Sequence, residues 1–173
     1  MSDTRQLRML TRYNAWANAR LFDAVAALPA GEASAPRKTI FGNMVQTLNH
    51  DCVVDLIWQA HLERREHGFK ARNVVVHSDL PALRAAQRKV NDWFIDWAGA
   101  QSETSLDEVV PFAFVNGTRA SMKRSEMFLH VVTHGSYHRG WAAEMFFEAG
   151  ARPPQPDLSV FLCEAPQDWR VAV

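Results

Sequence analysis

An all-α four-helix bundle with a small β-hairpin between its third and fourth helices is the fold class this sequence predicts. Three observations lead there. Four long segments repeat apolar residues at helical spacing, each is bounded by capping or breaking residues, and one short segment between the third and fourth changes to a period of two around Asn116-Gly117. The 173 residues suffice for one core, and no linker, low-complexity run or internal repeat divides them, so a single domain over 1–173 is expected.

The first helix is predicted from Asp3 to Leu28, where Leu7, Leu10, Asn14, Ala17, Leu21, Ala24 and Leu28 alternate threes and fours as the seam of a packed helix. Pro29-Ala30-Gly31 stops it, and the stretch to Gly42 reads as surface loop. A second helix starts at Asn43, with Gln46 placed to complete a capping box, and runs to about His67, before Gly68. Val74 to Val76 is too short a run to assign to a strand. A third helix opens at Ser78 or Asp79 with Pro81 in its first turn, and turns Leu80, Leu83, Gln87, Val90, Phe94 and Trp97 inward until Gly99.

Between Val109 and Met122 the pattern is that of a hairpin with a two-residue Asn-Gly turn, Pro111 marking an edge strand. The fourth helix begins between Ser121 and Ser125 and ends at Ala149, ahead of Gly150 and Pro153-Pro154. It carries a second apolar strip, Leu129, Val132, Ala143 and Phe147, and the second helix carries another, Val45, Leu48, Cys52 and Leu56. A helix apolar on two sides must bury both, which predicts a homodimer unless the tail from Ala151 to Val173 covers one strip. The connections are expected to be short.

Lys plus Arg and Asp plus Glu number 19 each, so no basic field argues for nucleic acid. The N-terminal stretch has no signal-peptide core and no apolar run approaches the roughly 18 residues of a membrane span, so a cytoplasmic protein is expected, with no membrane partner. Cys52 and Cys163 form neither a CxxC pair nor a disulfide framework.

Chemistry concentrates in His130-Val-Val-Thr-His134-Gly-Ser-Tyr-His138-Arg-Gly140. Residues four apart on a helix lie one above the other, so two imidazoles can converge on one ion. His130 and His138, about 12 Å apart along the axis, cannot share one, which leaves 130 with 134 and 134 with 138 equally good. A third ligand must come from another helix, and His50, on the inward stripe of the second, is the natural one. His61 lies on that stripe about 16 Å away and reads as a separate surface or packing residue. The alternative for any one histidine is a packed residue with backbone partners; three on one apolar stripe leave several buried nitrogens to satisfy, at about 1–3 kcal/mol each.

Three imidazoles leave a position on a tetrahedral ion open to solvent, as catalytic sites do, and suit zinc, nickel, iron or copper. Gly135 follows His134 and Val131 follows His130, so the glutamate of H-E-x-x-H is missing and a zinc protease is excluded. Neither a Gly-x-Ser-x-Gly elbow nor a P-loop or GxGxxG occurs.

The chain resembles the DinB/YfiT-like family of bacterial metal-binding four-helix bundles over nearly its whole length. The resemblance is carried by Tyr13-Asn-Ala-Trp-Ala-Asn-Ala-Arg-Leu21, Thr47-Leu-Asn-His50 with Asp55 and Trp58, and above all the histidine segment. It implies a metal triad of His50, His134 and His138 with His130 as a neighbour, a divalent ion (nickel or zinc foremost, iron next) and a homodimer. It also implies either a metal-dependent enzyme, a transferase using a low-molecular-weight thiol or a hydrolase of a small molecule, or a non-catalytic metal-binding protein of stress or damage responses. Asp55 and Arg139 read as an ion pair linking two helices, and Gln46 and Tyr137 as residues that could orient a ligand.

Overall fold

The computed structural model describes residues 3–164. Its elements are α1 (Asp3–Ala26), α2 (Met44–Leu62), α3 (Leu80–Gly99), the single turn α4 (Glu103–Leu106), β1 (Val109–Ala113), β2 (Arg119–Lys123), α5 (Arg124–Glu148) and α6 (Leu158–Glu164). The four long helices form the bundle that the sequence predicts, with the hairpin between the third and fourth. The connections are longer than expected, spanning 27–43, 63–79 and 100–123. Two of them cross diagonals, because α1 and α2 each pack against both α3 and α5 rather than against each other.

Local chemistry sets the ends. Asn43 accepts from the Gln46 N–H at 2.8 Å and Asp79 from the Ala82 N–H at 2.9 Å, capping α2 and α3; of the capping box expected at Asn43, this one half forms. The α2 helix stops at Leu62 rather than near His67 because Arg64 turns left-handed at φ 56. The N–H groups of Arg64 and Arg65 then close on the carbonyls of His61 and Ala60, each at 3.0 Å. Gly150, at φ 68, ends α5 as expected.

The hairpin pairs Val109 with Lys123 through Ala113 with Arg119. Its turn is not the two-residue one expected: Phe114 N–H bonds Thr118 O at 2.8 Å, leaving a three-residue loop in which Gly117 alone has a positive φ, +85. A two-residue Asn-Gly turn needs Asn116 in the left-handed region as well. Asn116 instead accepts the Thr118 N–H at 3.0 Å.

The second apolar strip of α2 is absorbed inside the domain, with Val45, Leu48 and Cys52 buried. That of α5 is absorbed only in part: Val132 is buried, but Leu129 and Phe147 are 53 % and 63 % exposed. The α6 segment sets Phe161 against Tyr13 and Trp16 of α1 rather than over α5, and residues 165–173 of the expected covering tail lie outside the described residues.

Two apolar clusters fill the bundle, one around Trp58, Phe94 and Phe128, the other around Phe22, Leu48 and Phe146. Between them runs a polar layer with members on every long helix: Asn14 and Asn18 on α1, Asp55 on α2, Gln87 and Asn91 on α3, and Ser136 and Arg139 on α5. Arg139, buried, donates from Nη1 to Asn14 Oδ1 and Asn18 Oδ1, both at 2.7 Å, and from Nη2 to Ser136 at 2.9 Å. Asn18 donates to Asn91 at 3.2 Å, and Gln87 donates to Asn91 at 3.1 Å and to Asp55 at 2.7 Å. Asp55 and Arg139 are thus not the ion pair expected, since the guanidinium spends its donors on two asparagines and a serine. Burial, and then the charge of Asp51, push the Asp55 carboxyl well above the usual carboxylate range despite the Gln87 bond and Arg139.

Gly135 is the gap into which this guanidinium fits: a Cβ there would stand 2.9 Å from Arg139 Nη1 and 3.1 Å from Asn14 Oδ1. Gly135→Ala is expected to destabilise by about 1–3 kcal/mol. Gly140→Ala, on the same helix with nothing within 4 Å, should be neutral or stabilising by up to about 1 kcal/mol. Urea titration of both variants checks this, and equal effects would contradict it. A second expectation concerns pH. The folded chain keeps the Asp55 proton that the unfolded chain releases near its ordinary value of 3.8, so this group's contribution to stability falls as pH rises from there through the raised folded value. Asp55→Asn should remove that loss, its stability relative to the parent growing between about pH 4 and neutrality; a difference independent of pH would refute the assignment.

Candidate metal centre

Because α2 packs directly on α5, His50 faces His134 and His138 across the interface. Ring centroids are 5.3 Å apart for His50 and His134, 4.6 Å for His50 and His138, and 4.3 Å for His134 and His138. One nitrogen from each ring lies within 4.8 Å of the others, close enough for the three to hold one ion. Of the two histidine pairs on α5 that spacing leaves open, 134 with 138 is the one that lies against His50. His130 stays outside the group, its ring 4.6 Å from that of Trp58 and 5.5 Å from that of His134.

Two rings are held from behind. His50 Nδ1 lies 3.2 Å from the Arg72 carbonyl, and His134 Nδ1 lies 3.2 Å from Asp51 Oδ1. A carbonyl only accepts, so His50 carries its proton on Nδ1 and presents a bare Nε2. Asp51 acts the same way on His134. Full burial would raise its carboxyl, but the hydrogen bond with His134 and the nearby positive charge, that of Arg139 included, outweigh this and hold it below the usual range, so it accepts. The third ring differs: His138 Nδ1 is buried with no hydrogen-bond partner. An orphaned imidazole nitrogen within a cluster of three, whose other members are pre-turned by acceptors, fits a bound cation, and three neutral nitrogens are the donor set that zinc, nickel or iron accepts. Burial first, then the neighbouring His134, lowers both His50 and His138, the latter to about 4, so both rings are neutral near pH 7.

Phe41, in the connector read as surface loop, is buried and stacks on His50 with centroids 4.5 Å apart and planes at 27°. It also touches His138 and Trp141, so one side of the cluster is roofed. Of the three rings, His134 is the one that reaches the cleft on the other side. His134 and His130 form part of the wall of this cleft of about 730 Å³, bounded by α2, residues 70–73 and the hairpin turn. His61 lines the same cleft. It is no ligand of this cluster but packs between Trp58, His67 and Phe112, burial lowering it to about 4. Cys52 is buried, and desolvation, with Asp55 and Asp51, pushes its thiol up to about 12, which removes it as a nucleophile. Cys163 is exposed.

The orienting groups escaped sequence reasoning. Gln46 is exposed at the start of α2 and Tyr137 is 59 % exposed, while Asp51 and the Arg72 carbonyl make the contacts. A carboxylate inside a helix apolar on two sides was the available signal for Asp51, since such a charge must find a partner. A backbone carbonyl delivered by a loop gives no signal at all.

A family model described as the DinB family matches residues 1–169. Among curated proteins, Protein DinB of Bacillus subtilis (strain 168) is 28% identical over 167 residues, covering 88% of this chain and 91% of that protein. Among solved structures, a DinB-like protein from Bacillus cereus ATCC 10987 superposes with a TM-score of 0.61 at 16% identity, over 83% of this chain and 91% of that one, which is a likeness of fold. With the helical bundle, the hairpin and the histidine cluster described, the match over nearly the entire chain establishes that the protein belongs to the DinB family.

Proposed function

We propose that the protein is a metal-dependent enzyme in which His50, His134 and His138 bind one divalent ion, zinc or nickel foremost and iron next, and that it acts on a small molecule in the cleft alongside. The observation that carries this reading is the unpartnered His138 Nδ1 beside two rings turned by Asp51 and the Arg72 carbonyl. A bound ion there would supply Lewis acidity, lowering the pKa of a water or a low-molecular-weight thiol so that it reacts as hydroxide or thiolate.

The chain's own residues define the rest. Asp51 fixes the His134 ring and, as an anion, strengthens its remaining nitrogen as a donor. Phe41 excludes water from one side, so a reacting group arrives from the cleft. Trp58 and Ile57 give that cleft an apolar wall against which the body of a substrate can rest. A thiol-dependent transfer and a hydrolysis both need this arrangement, and the open side favours either over a purely structural ion, which four protein ligands enclose. A homodimer belongs to the same proposal, supported by the exposed Leu129 and Phe147 of α5. Among the described residues no helix is long and apolar enough to cross a membrane.

Elemental analysis of protein purified without added metal is expected to give about one zinc, nickel or iron per chain. His50→Ala should abolish that content, and Asp51→Asn should weaken affinity about 10–100-fold while leaving the bundle folded. Full metal content in the His50 variant would overturn the triad. Screening the loaded protein with thiol cosubstrates and hydrolysable esters or amides tests catalysis, and turnover with none of them would overturn the enzyme reading.

A further inference from the structure

The cleft beside the histidines has walls of one charge sign. Lys70 and Arg72 line it and no aspartate or glutamate does. Neither side chain has an ion pair or hydrogen bond among the described residues, whereas Arg64, Arg65 and Arg124 are each paired with Glu63 or Glu108. Arg72 is also tethered. Its carbonyl accepts a hydrogen bond from His50 Nδ1, which fixes the backbone of this residue at the cluster, and the residue is exposed and lines the cleft. Its charge is felt by His130 and His138. The same cleft has apolar lining as well: Trp58 and Ile57 from α2, and Phe114, 47 % exposed, from the hairpin turn. A cleft lined by cations and low-dielectric surface concentrates anions, and a free guanidinium fork suits a carboxylate or a phosphate ester.

We propose that this cleft is a binding subsite for a small organic anion, an oxyanion head held by Lys70 and Arg72 with a flat apolar body lying on Trp58 and Phe114. The role of that anion as substrate rests on the metalloenzyme reading above; its binding does not. Arg72 then has two functions in one residue, its carbonyl orienting a histidine and its side chain setting ligand charge. Those functions are separable by mutation, because substitution removes the guanidinium and keeps the carbonyl.

Isothermal titration of the full-length protein, as purified and again after chelation, with cinnamate, phenyl phosphate, cinnamamide and inorganic phosphate tests this at low ionic strength. Cinnamate, phenyl phosphate or both should bind saturably in both preparations, and the stronger of the two identifies the head group. The neutral amide and the bodiless phosphate should bind about tenfold or more weakly, and added salt should weaken the organic anion. Lys70→Gln with Arg72→Gln should lower affinity about tenfold or more, with an unchanged thermal unfolding midpoint because both side chains are exposed and unpaired. Equal binding of cinnamamide, or full affinity in the double variant, would overturn the subsite. So would binding that disappears on chelation yet survives the double substitution, since the anion would then be a metal ligand. Anion binding intact in protein that never holds metal would keep this subsite and remove the metalloenzyme reading instead.

Discussion

The α2 helix has almost no solvent face. Every residue from Met44 to Leu62 is buried except Gln46, Leu56 and Gln59, although the segment includes His50, Asp51 and Asp55. Each of these polar groups must be partnered inside the bundle or cost about 1–3 kcal/mol, and more if charged. The partners come from the helices and loops packed around it. His134 meets Asp51, the Arg72 carbonyl meets His50, and Gln87 meets Asp55 Oδ2, whose carboxyl burial pushes well up. The histidine cluster and the polar layer are therefore two solutions to one requirement, placed side by side on the same helix.

The two solutions communicate through charge and space. Arg139, buried in the layer, helps hold the Asp51 carboxyl below the usual range, and Asp51 in turn fixes His134. Gly135, directly after His134, leaves the room the guanidinium needs. The residue that would be glutamate in a zinc protease is thus occupied by a packing requirement, so the same spacing of histidines serves a different site. The layer also divides two apolar clusters with a set of directional bonds reaching all four long helices, which fixes their relative heights in a way apolar contacts alone do not.

What the sequence disclosed follows the range of each interaction. Helix existence, the caps at Asn43 and Asp79 and the stop at Gly150 are local, and periodicity and side-chain chemistry made them legible. The early end of α2 was hidden because Arg64, not a glycine, takes the left-handed position. The hairpin was legible but not its turn, since Asn-Gly is compatible with two loop lengths. At the site, helix geometry gave the face and the need for His50 but left two histidine pairs on α5 open; resemblance chose one, and packing gathers the same three rings. Phe41 and the Arg72 carbonyl come from loops, whose paths carry no period, so the roof and one orienting acceptor could not be read in advance.

The central claim is that three imidazoles share one cation while its cleft side stays free for a reacting group. An anomalous difference map from crystals of the native protein, recorded at the absorption edge of the metal found by elemental analysis, tests it most directly. The account predicts a single peak between the nitrogens of His50, His134 and His138, each at about 2.0–2.2 Å, with no fourth protein ligand and the remaining coordination facing the cleft. A peak elsewhere, or a shell closed by His130 or a carboxylate, would contradict it.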